Sequence, residues 1–240
     1  MERKETKIRR LSPWLTGLFL CASATAVAFI SLSSGYIPYS LKEIWEIILS
    51  ALYDQPNSIL PNRSIVILEV RLPRLTTAFL AGAALGLSGA VFQALLLNPL
   101  ADPYTLGVSS GAAFGASAVI ILSLLFPQIL FLSSSLAPTA GAFIFSAITL
   151  VLVIRLASDR QGRLSPASLI LAGVILSAIL SAAISFFKYL AGDQVGSIVF
   201  WLMGSFHDSN WTDAGIVALF LPPCLLLAML SATDLNIMTL

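Results

Sequence analysis

The stretch RLPRLTTAFLAGAALGLSGAVFQALLLNPLADPYTLGVSSGAAFG occupies residues 71–115. It begins with two arginines, Arg71 and Arg74, which lie three residues apart. About twenty apolar or small residues follow, and a helix of that length crosses a hydrocarbon core of roughly 30 Å. The polar interruption Asn98–Pro103 then separates this helix from a second apolar run. The stretch therefore predicts the central span of a helical membrane protein and a short irregular turn to the next span.

Glycine residues recur every four positions on both sides of the interruption. The first pair is Gly82 and Gly86, and the second series is Gly107, Gly111 and Gly115. Glycines four residues apart lie on one helix face, where they allow another backbone to approach closely. We therefore predict that both helices pack against protein, rather than lipid, on their glycine faces.

The composition is that of an integral membrane protein. Of 240 residues, 58% are hydrophobic and only 10% are charged, whereas soluble domains carry about 25% charged residues. The net charge of +1 gives no reason to expect a nucleic acid partner. The two cysteines, Cys21 and Cys224, both lie in apolar runs. This placement argues against a disulfide framework or a metal site, and we expect no cofactor.

Six apolar stretches reach spanning length. They cover residues 12–34, 75–97, 104–126, 136–156, 167–190 and 213–231. We therefore predict an all-α, polytopic membrane protein in which residues 1–240 form a single transmembrane domain. The first stretch is too long for a cleaved signal peptide, so we expect a retained span.

A further segment, Leu41–Leu52, has an amphipathic pattern. Its apolar face contains Leu41, Ile44, Trp45, Ile48 and Leu52. The segment is too short to cross the bilayer, so we expect it to lie at the membrane interface or against the spans.

The basic residues predict the orientation. With the N-terminus in the cytoplasm, the inner side would hold Arg3, Lys4, Lys7, Arg9, Arg10, Arg155, Arg160 and Arg163, against Lys42, Arg63, Arg71, Arg74 and Lys188 outside. The positive-inside rule then places both ends of the chain and residues 157–166 in the cytoplasm. Residues 35–70 and 191–212 are external, and the apolar segment 198–203 is predicted to be a half-helix at the membrane surface.

One motif raises the alternative of an intramembrane serine hydrolase. Ser88 lies in a GxSG string, and His207 is the only histidine. A helix-borne serine activated by a histidine is a known catalytic arrangement. His207, however, falls in a polar loop beside Asp208, which favours Ser88 as a small packing residue. An ATP-independent carrier or channel is a further alternative.

The two arginines are the costliest residues near the membrane. An arginine at the bilayer centre costs about 2.5–3.5 kcal/mol on insertion scales. We therefore expect Arg71 and Arg74 at the outer surface, at the mouth of the second span. There they either anchor lipid phosphates or bind carboxylates of an external partner.

The interruption Asn98–Pro103 is predicted to lie at the inner membrane face. Irregular backbone is tolerated there only if it is buried in protein or lines a water-filled path. The alternative is a plain turn. The sequence contains no P-loop string, so ATP-driven transport would need a nucleotide-binding partner subunit.

Taken together, these motifs resemble the permease subunits of ABC importers for iron–siderophores, haem and cobalamin, the FecCD family. The matching residues are Arg71–Arg74, Gly82–Leu85, Ser88 with Gly89, Gln93, Asn98–Pro103, Leu106 with Gly107, Leu171–Val174, and Trp201, Gly204, Ser205 and Trp211. They follow the family's order along essentially the whole chain.

The resemblance implies a ten-helix importer fold whose first six spans match this sequence. It implies a bacterial plasma-membrane permease that forms a homodimer or heterodimer around a translocation path and catalyses no covalent chemistry itself. Its partners would be cytoplasmic ATPase subunits, a periplasmic or lipid-anchored substrate-binding protein, and membrane lipid. The ATPase-coupling helices and the last four spans are expected to be missing from this sequence, which would make it a truncated product, a fragment or half of a split permease.

The resemblance also implies roles for individual residues. Arg71 and Arg74 match arginines that bind the substrate-binding protein. Asn98 and Leu100 match the loop that narrows the path at its cytoplasmic end. Iron(III)–siderophore chelates are the expected cargo, with haem and cobalamin as alternatives.

Overall fold

The computed structural model describes residues 12–53, 61–129, 134 and 136–238. Within these ranges all regular elements are helical, apart from an isolated β-bridge between Ser158 and Leu164. The helices are α1 (Pro13–Ser33), α2 (Leu41–Leu52), α3 (Pro61–Ile65), a π-helical segment (Val66–Arg71), α4 (Leu72–Leu95), α5 (Val108–Leu125), α6 (Ala137–Ala157), α7 (Pro166–Ala191), a 3-10 turn (Gly192–Gln194), α8 (Val195–Met203), α9 (Trp211–Leu230) and α10 (Ala232–Met238). The basic run 1–10, on which the predicted orientation depends, lies outside the described residues.

Six helices in this part of the chain are long and apolar enough to cross a membrane, which confirms the predicted all-α fold and its six spans. They are Trp14–Ser33, Arg63–Leu95, Val108–Leu125, Ala137–Ala157, Pro166–Met203 and Trp211–Leu230. Two of them are longer than the sequence indicated. The second begins at Arg63, because α3 and the π segment run into α4 without a break. The fifth continues past α7 through the 3-10 turn into α8.

The chain divides into two compact units. The first consists of Met1–Leu80 and His207–Val217, and the second of Ala81–Phe206 and Ala218–Leu240. The expectation of a single transmembrane domain over residues 1–240 stays a prediction.

In the first unit, a small core joins the end of α1, α2 and the π segment. Its buried members are Leu32, Tyr39, Ile44, Ile47 and Ile67. The predicted amphipathic helix is present with the expected bounds, Leu41–Leu52. Its buried stripe differs from the predicted face, because Ile44 and Ile47 are buried while Leu41, Trp45 and Leu52 are exposed. The apolar surface of α2 is therefore wider than its protein contact, and one edge is left for the membrane interface.

In the second unit, α5 and α6 pack against each other in antiparallel fashion through small residues. A Cβ placed on Gly115 would lie 2.3 Å from the carbonyl oxygen of Gly141, so the two backbones are in contact there. The preceding residue, Phe114, packs on Phe145 of α6 and Phe187 of α7, with ring centroids 5.1 and 5.3 Å apart.

Different elements pack at the two ends of this unit. At one end, Ile198 of α8 is buried with Ile120 and Ile121 near the end of α5. The helix within the predicted half-helix region is thus present, as α8. At the other end, the irregular segment between α4 and α5 packs on the end of α6 and the start of α7. The interruption and the α6–α7 loop therefore share one end of the unit.

Candidate functional site

Arg71 is engaged by its own chain. Its Nη1 donates to the carbonyl oxygen of Leu32 and its Nη2 to that of Ile37, both at 2.6 Å. The guanidinium carbon lies 4.8 Å from the centre of the Tyr39 ring, within cation–π range. At Gly35 (φ +150°) a Cβ would lie 2.6 Å from Nη2, so only a glycine leaves room for this arrangement. Arg71 thus holds the connection between α1 and α2.

A second arginine reaches the same ring. The guanidinium of Arg63 lies 4.9 Å from the centre of Tyr39, whose hydroxyl donates to the Arg63 carbonyl oxygen at 3.0 Å. Arg63 Nη1 also donates to Glu43 Oε1 at 2.9 Å, and its Nη2 donates to the carbonyl oxygen of Pro38 at 3.1 Å. Tyr39 is therefore the centre of a cluster that joins the α1–α2 connection to the second span.

Glu43 is held as a carboxylate at the start of α2. The Ser40 N–H and hydroxyl donate to Glu43 Oε2 at 2.8 and 3.0 Å, and the Glu43 N–H donates back to Ser40 Oγ at 3.2 Å. This capping box satisfies donors that an isolated helix end leaves unpaired. The Ser40 backbone N–H, then its hydroxyl, and then the Arg63 guanidinium lower the pKa of Glu43 below its usual value.

Arg74 differs from Arg71. It is half-buried, and among the described residues its Nε has no hydrogen-bond partner. Pro73, between the two arginines, is buried within the continuous helical span Arg63–Leu95. The sequence grouped the two arginines as equivalent. The structure distinguishes them, since Arg71 donates to two carbonyl groups of its own chain, whereas the Nε of Arg74 is buried without a partner among the described residues.

Asn98 forms the turn after α4. Its Oδ1 accepts from the Leu100 N–H at 2.9 Å, and its carbonyl oxygen accepts from the Ala101 N–H at 3.0 Å. This is an Asx-turn, in which the side chain stands in for a backbone acceptor. Leu97 before it has a positive φ of 48°. The interruption is therefore a fixed turn, not an unstructured linker.

Leu100 lies at the tip of this turn and is 84% exposed. Leu96, Ala101 and Leu106 of the same segment are buried, whereas Leu97 and Tyr104 are exposed. The turn thus presents Leu100, the most exposed of these side chains, outward from a packed base. Such a side chain can close a narrow path by contact with a facing surface.

The base of the turn rests on α7. A Cβ at Gly107 (φ +74°) would lie 2.8 Å from Ser177 Oγ and 3.1 Å from the carbonyl oxygen of Gly173. A Cβ at Gly173 would in turn lie 2.5 Å from the carbonyl oxygen of Thr105. Two glycines therefore allow the turn and the helix to meet backbone to backbone.

The glycines of the opening stretch have different surroundings. A Cβ at Gly111 would lie 2.2 Å from Thr149 Oγ1, and Gly115 faces Gly141 as described above. At Gly82 and Gly86, by contrast, no described atom of the chain lies within 4 Å of the Cβ position. The space beside the α5 glycines is thus occupied by α6 of the same chain. The space beside Gly82 and Gly86 of α4 contains no described atom of the chain.

The residues of the hydrolase alternative have structural roles or surface positions. The Ser88 hydroxyl donates to the Leu85 carbonyl oxygen of its own helix at 3.0 Å. His207 is largely exposed, with Nε2 4.0 Å from Asp208 Oδ1. Among the described residues no group of three or more His, Cys, Asp or Glu side chains could hold a metal ion.

Comparison with known proteins identifies the family. The signature of the FecCD transport family matches residues 23–240. The chain belongs to this family. The match covers all six spans apart from the start of the first.

Relatives of this FecCD-family chain are permeases of several import systems. It is 41% identical to the uncharacterized ABC transporter permease protein YvrB of Bacillus subtilis, over 72% of this chain and 48% of the relative. The molybdate import system permease protein MolB of Haemophilus influenzae is 38% identical over 82% of this chain and 55% of its own length. The hemin transport system permease protein HmuU of Yersinia pestis is 32% identical over 96% of this chain and 65% of its own length. The chain spans about half the length of the first two relatives.

A solved structure supports the same fold. An inward-facing ABC transporter of the metal-chelate type matches with a TM-score of 0.66 and 33% identity, over 94% of this chain and 63% of its own.

Sequence reasoning missed several residues that shape the site of this FecCD-family chain. No sequence pattern indicated the role of Tyr39, because that role depends on arginines more than twenty residues away. Gly173 was recognised only as part of a family motif. Trp211 was recognised in the same way, and its indole Nε1 donates to the carbonyl oxygen of Leu68 at 3.0 Å. Only the assembled structure assigns these contacts.

Proposed function

We propose that this chain forms the transmembrane part of a binding-protein-dependent ABC importer, as a permease subunit in a bacterial plasma membrane. The observation that carries the proposal is the family match over residues 23–240, which includes all of the candidate site. The fixed turn at Asn98–Pro103 and the six spans agree with it. No structural observation favours the serine hydrolase.

The proposed cargo is a metal chelate, with iron(III)–siderophore complexes first and haem or cobalamin as alternatives. One relative is named for hemin and another for molybdate, and the matching solved structure is of the metal-chelate type. These cargoes share a metal centre in a bulky or anionic shell.

The external docking site is proposed to lie at Arg71 and Arg74. A substrate-binding protein would present carboxylates, which arginine binds well. Arg74 is the second candidate: its Nε is buried without a hydrogen-bond partner among the described residues, so a carboxylate would bind to its terminal guanidinium nitrogens. Arg71 would contribute charge while it holds the α1–α2 connection in place.

The cytoplasmic gate is proposed to be formed by Asn98 and Leu100. Asn98 fixes the turn through its side-chain hydrogen bond, and Leu100 projects from it. Two copies of such a turn in a dimer would bring two apolar tips toward one path. Retraction of the tips, driven by ATPase subunits, would open it.

The remaining partners follow from the same proposal. The open face at Gly82 and Gly86 would pack against neighbouring spans of the importer, as glycine faces favour close helix association. Cytoplasmic ATPase subunits would supply the energy, since the sequence has no P-loop. The N-terminus would lie in the cytoplasm.

Reconstitution tests the proposal. A permease carrying this sequence is placed in proteoliposomes with its ATPase and an external binding protein, and uptake of labelled ferric siderophore, haem, cobalamin and molybdate is measured. We expect uptake of one chelate that requires both ATP and the binding protein. Uptake without either component would instead support an ATP-independent carrier, and labelling of Ser88 by a serine-directed probe would support a hydrolase.

A further inference from the structure

The second span changes its hydrogen-bond register in a segment that ends at Arg71, the first residue of the arginine pair Arg71 and Arg74. Val66–Arg71 is π-helical, and the Leu72 N–H donates to the carbonyl oxygen of Ile67, five residues back. Short π segments within α-helices are rare and frequently mark functional sites. The next residue, Pro73, has no N–H. In the same register its partner would have been the carbonyl oxygen of Leu68.

Trp211 supplies a donor at this position. Its indole Nε1–H donates to the Leu68 carbonyl oxygen at 3.0 Å. The two residues are 143 positions apart in sequence, and both belong to the first compact unit. A tryptophan side chain therefore donates to the carbonyl group that the proline leaves without its backbone partner.

The start of α9 is built to hold Trp211. The side-chain Oδ1 of Asn210 accepts from the N–H groups of Thr212 and Asp213, at 2.8 and 3.1 Å. Asp213 Oδ2 accepts from the Asn210 N–H at 3.0 Å. These reciprocal bonds cap the helix at its first residue, Trp211.

The π register sets the direction of the Arg71 side chain relative to that of Arg63. Arg63 and Arg71 are eight residues apart, which in an α-helix would separate their directions by about 80°. One extra residue in the π segment reduces the separation to about 20°. This agrees with the contact of both guanidinium groups with Tyr39, at 4.9 and 4.8 Å.

We propose that Trp211 is a positioning residue for the arginine pair. Its indole N–H replaces the donor that Pro73 lacks, holds Val66–Arg71 in the π register, and so keeps Arg71 on the α1–α2 connection with Arg74 one turn beyond. The consequence for docking rests on the proposed function. The positioning itself does not, since it is a property of this chain alone.

The test compares Trp211→Phe with the control Trp45→Phe, an exposed tryptophan on α2 in the same unit. Both variants of the full chain are placed in lipid nanodiscs, and amide hydrogen exchange is followed at Leu72. We expect Trp211→Phe to accelerate exchange by roughly three- to tenfold, which corresponds to one net hydrogen bond. Trp45→Phe should leave it unchanged. Equal exchange in the two variants would overturn the proposal.

A second measurement separates positioning from general packing. The modification rate of Arg71 by phenylglyoxal, read by mass spectrometry, should rise in Trp211→Phe, because Arg71 then spends more time away from the Leu32 and Ile37 carbonyls. A lower melting temperature with unchanged Arg71 reactivity would mean that Trp211 only packs.

The substitution Pro73→Ala provides the most specific test of the proposal. It restores a backbone N–H that can donate into the ladder near Leu68, so Trp211→Phe should accelerate Leu72 exchange much less in this background. An undiminished effect would contradict the replacement of the proline donor by the indole. If docking proves independent of Arg74, the proposed function fails, but these three measurements keep their meaning.

Discussion

Gly173 of α7 lies in backbone contact with Thr105 of the turn before α5. A Cβ on Gly173 would stand 2.5 Å from the Thr105 carbonyl oxygen and 2.8 Å from the Cα of Leu106. Real Cβ atoms do not approach backbone atoms so closely, so any side chain at residue 173 must displace the turn. The position of the proposed gate therefore depends on a glycine in another helix.

Gly173→Ala is expected to destabilise the protein by about 1–3 kcal/mol, the usual cost of overpacking a tight contact. Gly17→Ala is the matched control, because no described atom lies within 4 Å of its Cβ position in α1. Thermal unfolding in detergent should show a lower midpoint for Gly173→Ala alone. Helix propensity alone favours alanine over glycine, so Gly17→Ala should be unchanged or slightly more stable. A Gly173→Ala midpoint that does not fall below that of the control would contradict the contact with the turn.

Hydropathy predicted the six spans, because crossing a bilayer is a matter of length and apolar content along the chain. The break at Asn98–Pro103 was predicted for a similar reason, since proline and asparagine interrupt a helix through local chemistry. These features need no knowledge of distant residues. Their confirmation in the structure reflects that local origin.

The register of the second span could not be predicted in this way. A helix beginning at residue 75 was expected, whereas the spanning helix begins at Arg63 and contains a π segment. A π segment is a rare departure from the α register, so neither hydropathy nor helix propensity along the chain predicts it. A tertiary contact to this segment comes from Trp211, 143 residues away. The sequence likewise marked Arg71 as costly but could not reveal that carbonyl groups at the end of α1 and in the α1–α2 connection accept its hydrogen bonds.

The two arginines should respond differently to charge reversal. Arg74→Glu is expected to weaken docking of the binding protein with little change in melting temperature. Arg71→Glu should weaken docking and also lower stability, because the Leu32 and Ile37 carbonyl groups lose a charged donor worth about 1.5–3 kcal/mol. Binding to the reconstituted permease and thermal unfolding are measured in parallel. If Arg74→Glu leaves docking intact, that arginine serves only as a lipid anchor.

Substitutions of the proposed gate residues, Asn98 and Leu100, should affect stability and transport differently. Leu100→Ala removes an exposed side chain, so the free energy of unfolding should stay within about 0.5 kcal/mol of the native value. Transport should become leaky or poorly coupled, because the apolar tip of the turn is lost. Asn98→Ala should instead cost about 1 kcal/mol, the typical net value of one hydrogen bond. Tight coupling retained in Leu100→Ala would remove Leu100 from the gate.

The start of α2 should be sensitive to acid. The pKa of Glu43 is lowered in the folded protein, first by the Ser40 N–H and then by its hydroxyl and Arg63. Its stabilising effect is thus present above the ordinary glutamate pKa and is lost as the pH falls through the lowered folded value. The protection of the amides at residues 41–44, measured as the exchange rate divided into the intrinsic rate at each pH, should fall with acid over that window. In Glu43→Gln this acid-dependent step should be absent, and its persistence there would assign the effect to another group.

The orientation can be tested with single cysteines on two exposed loops. Tyr36, between α1 and α2, is fully exposed, and Gln161, between α6 and α7, is exposed as well. In a chain whose Cys21 and Cys224 are replaced by serine, Tyr36→Cys should react with an impermeant maleimide added outside right-side-out vesicles. Gln161→Cys should react only after the membrane is opened, because the positive-inside rule places residues 157–166 in the cytoplasm. Reaction of both cysteines from the same side would contradict the six-span topology, and a complete exchange of sides would keep the spans but invert the N-terminus.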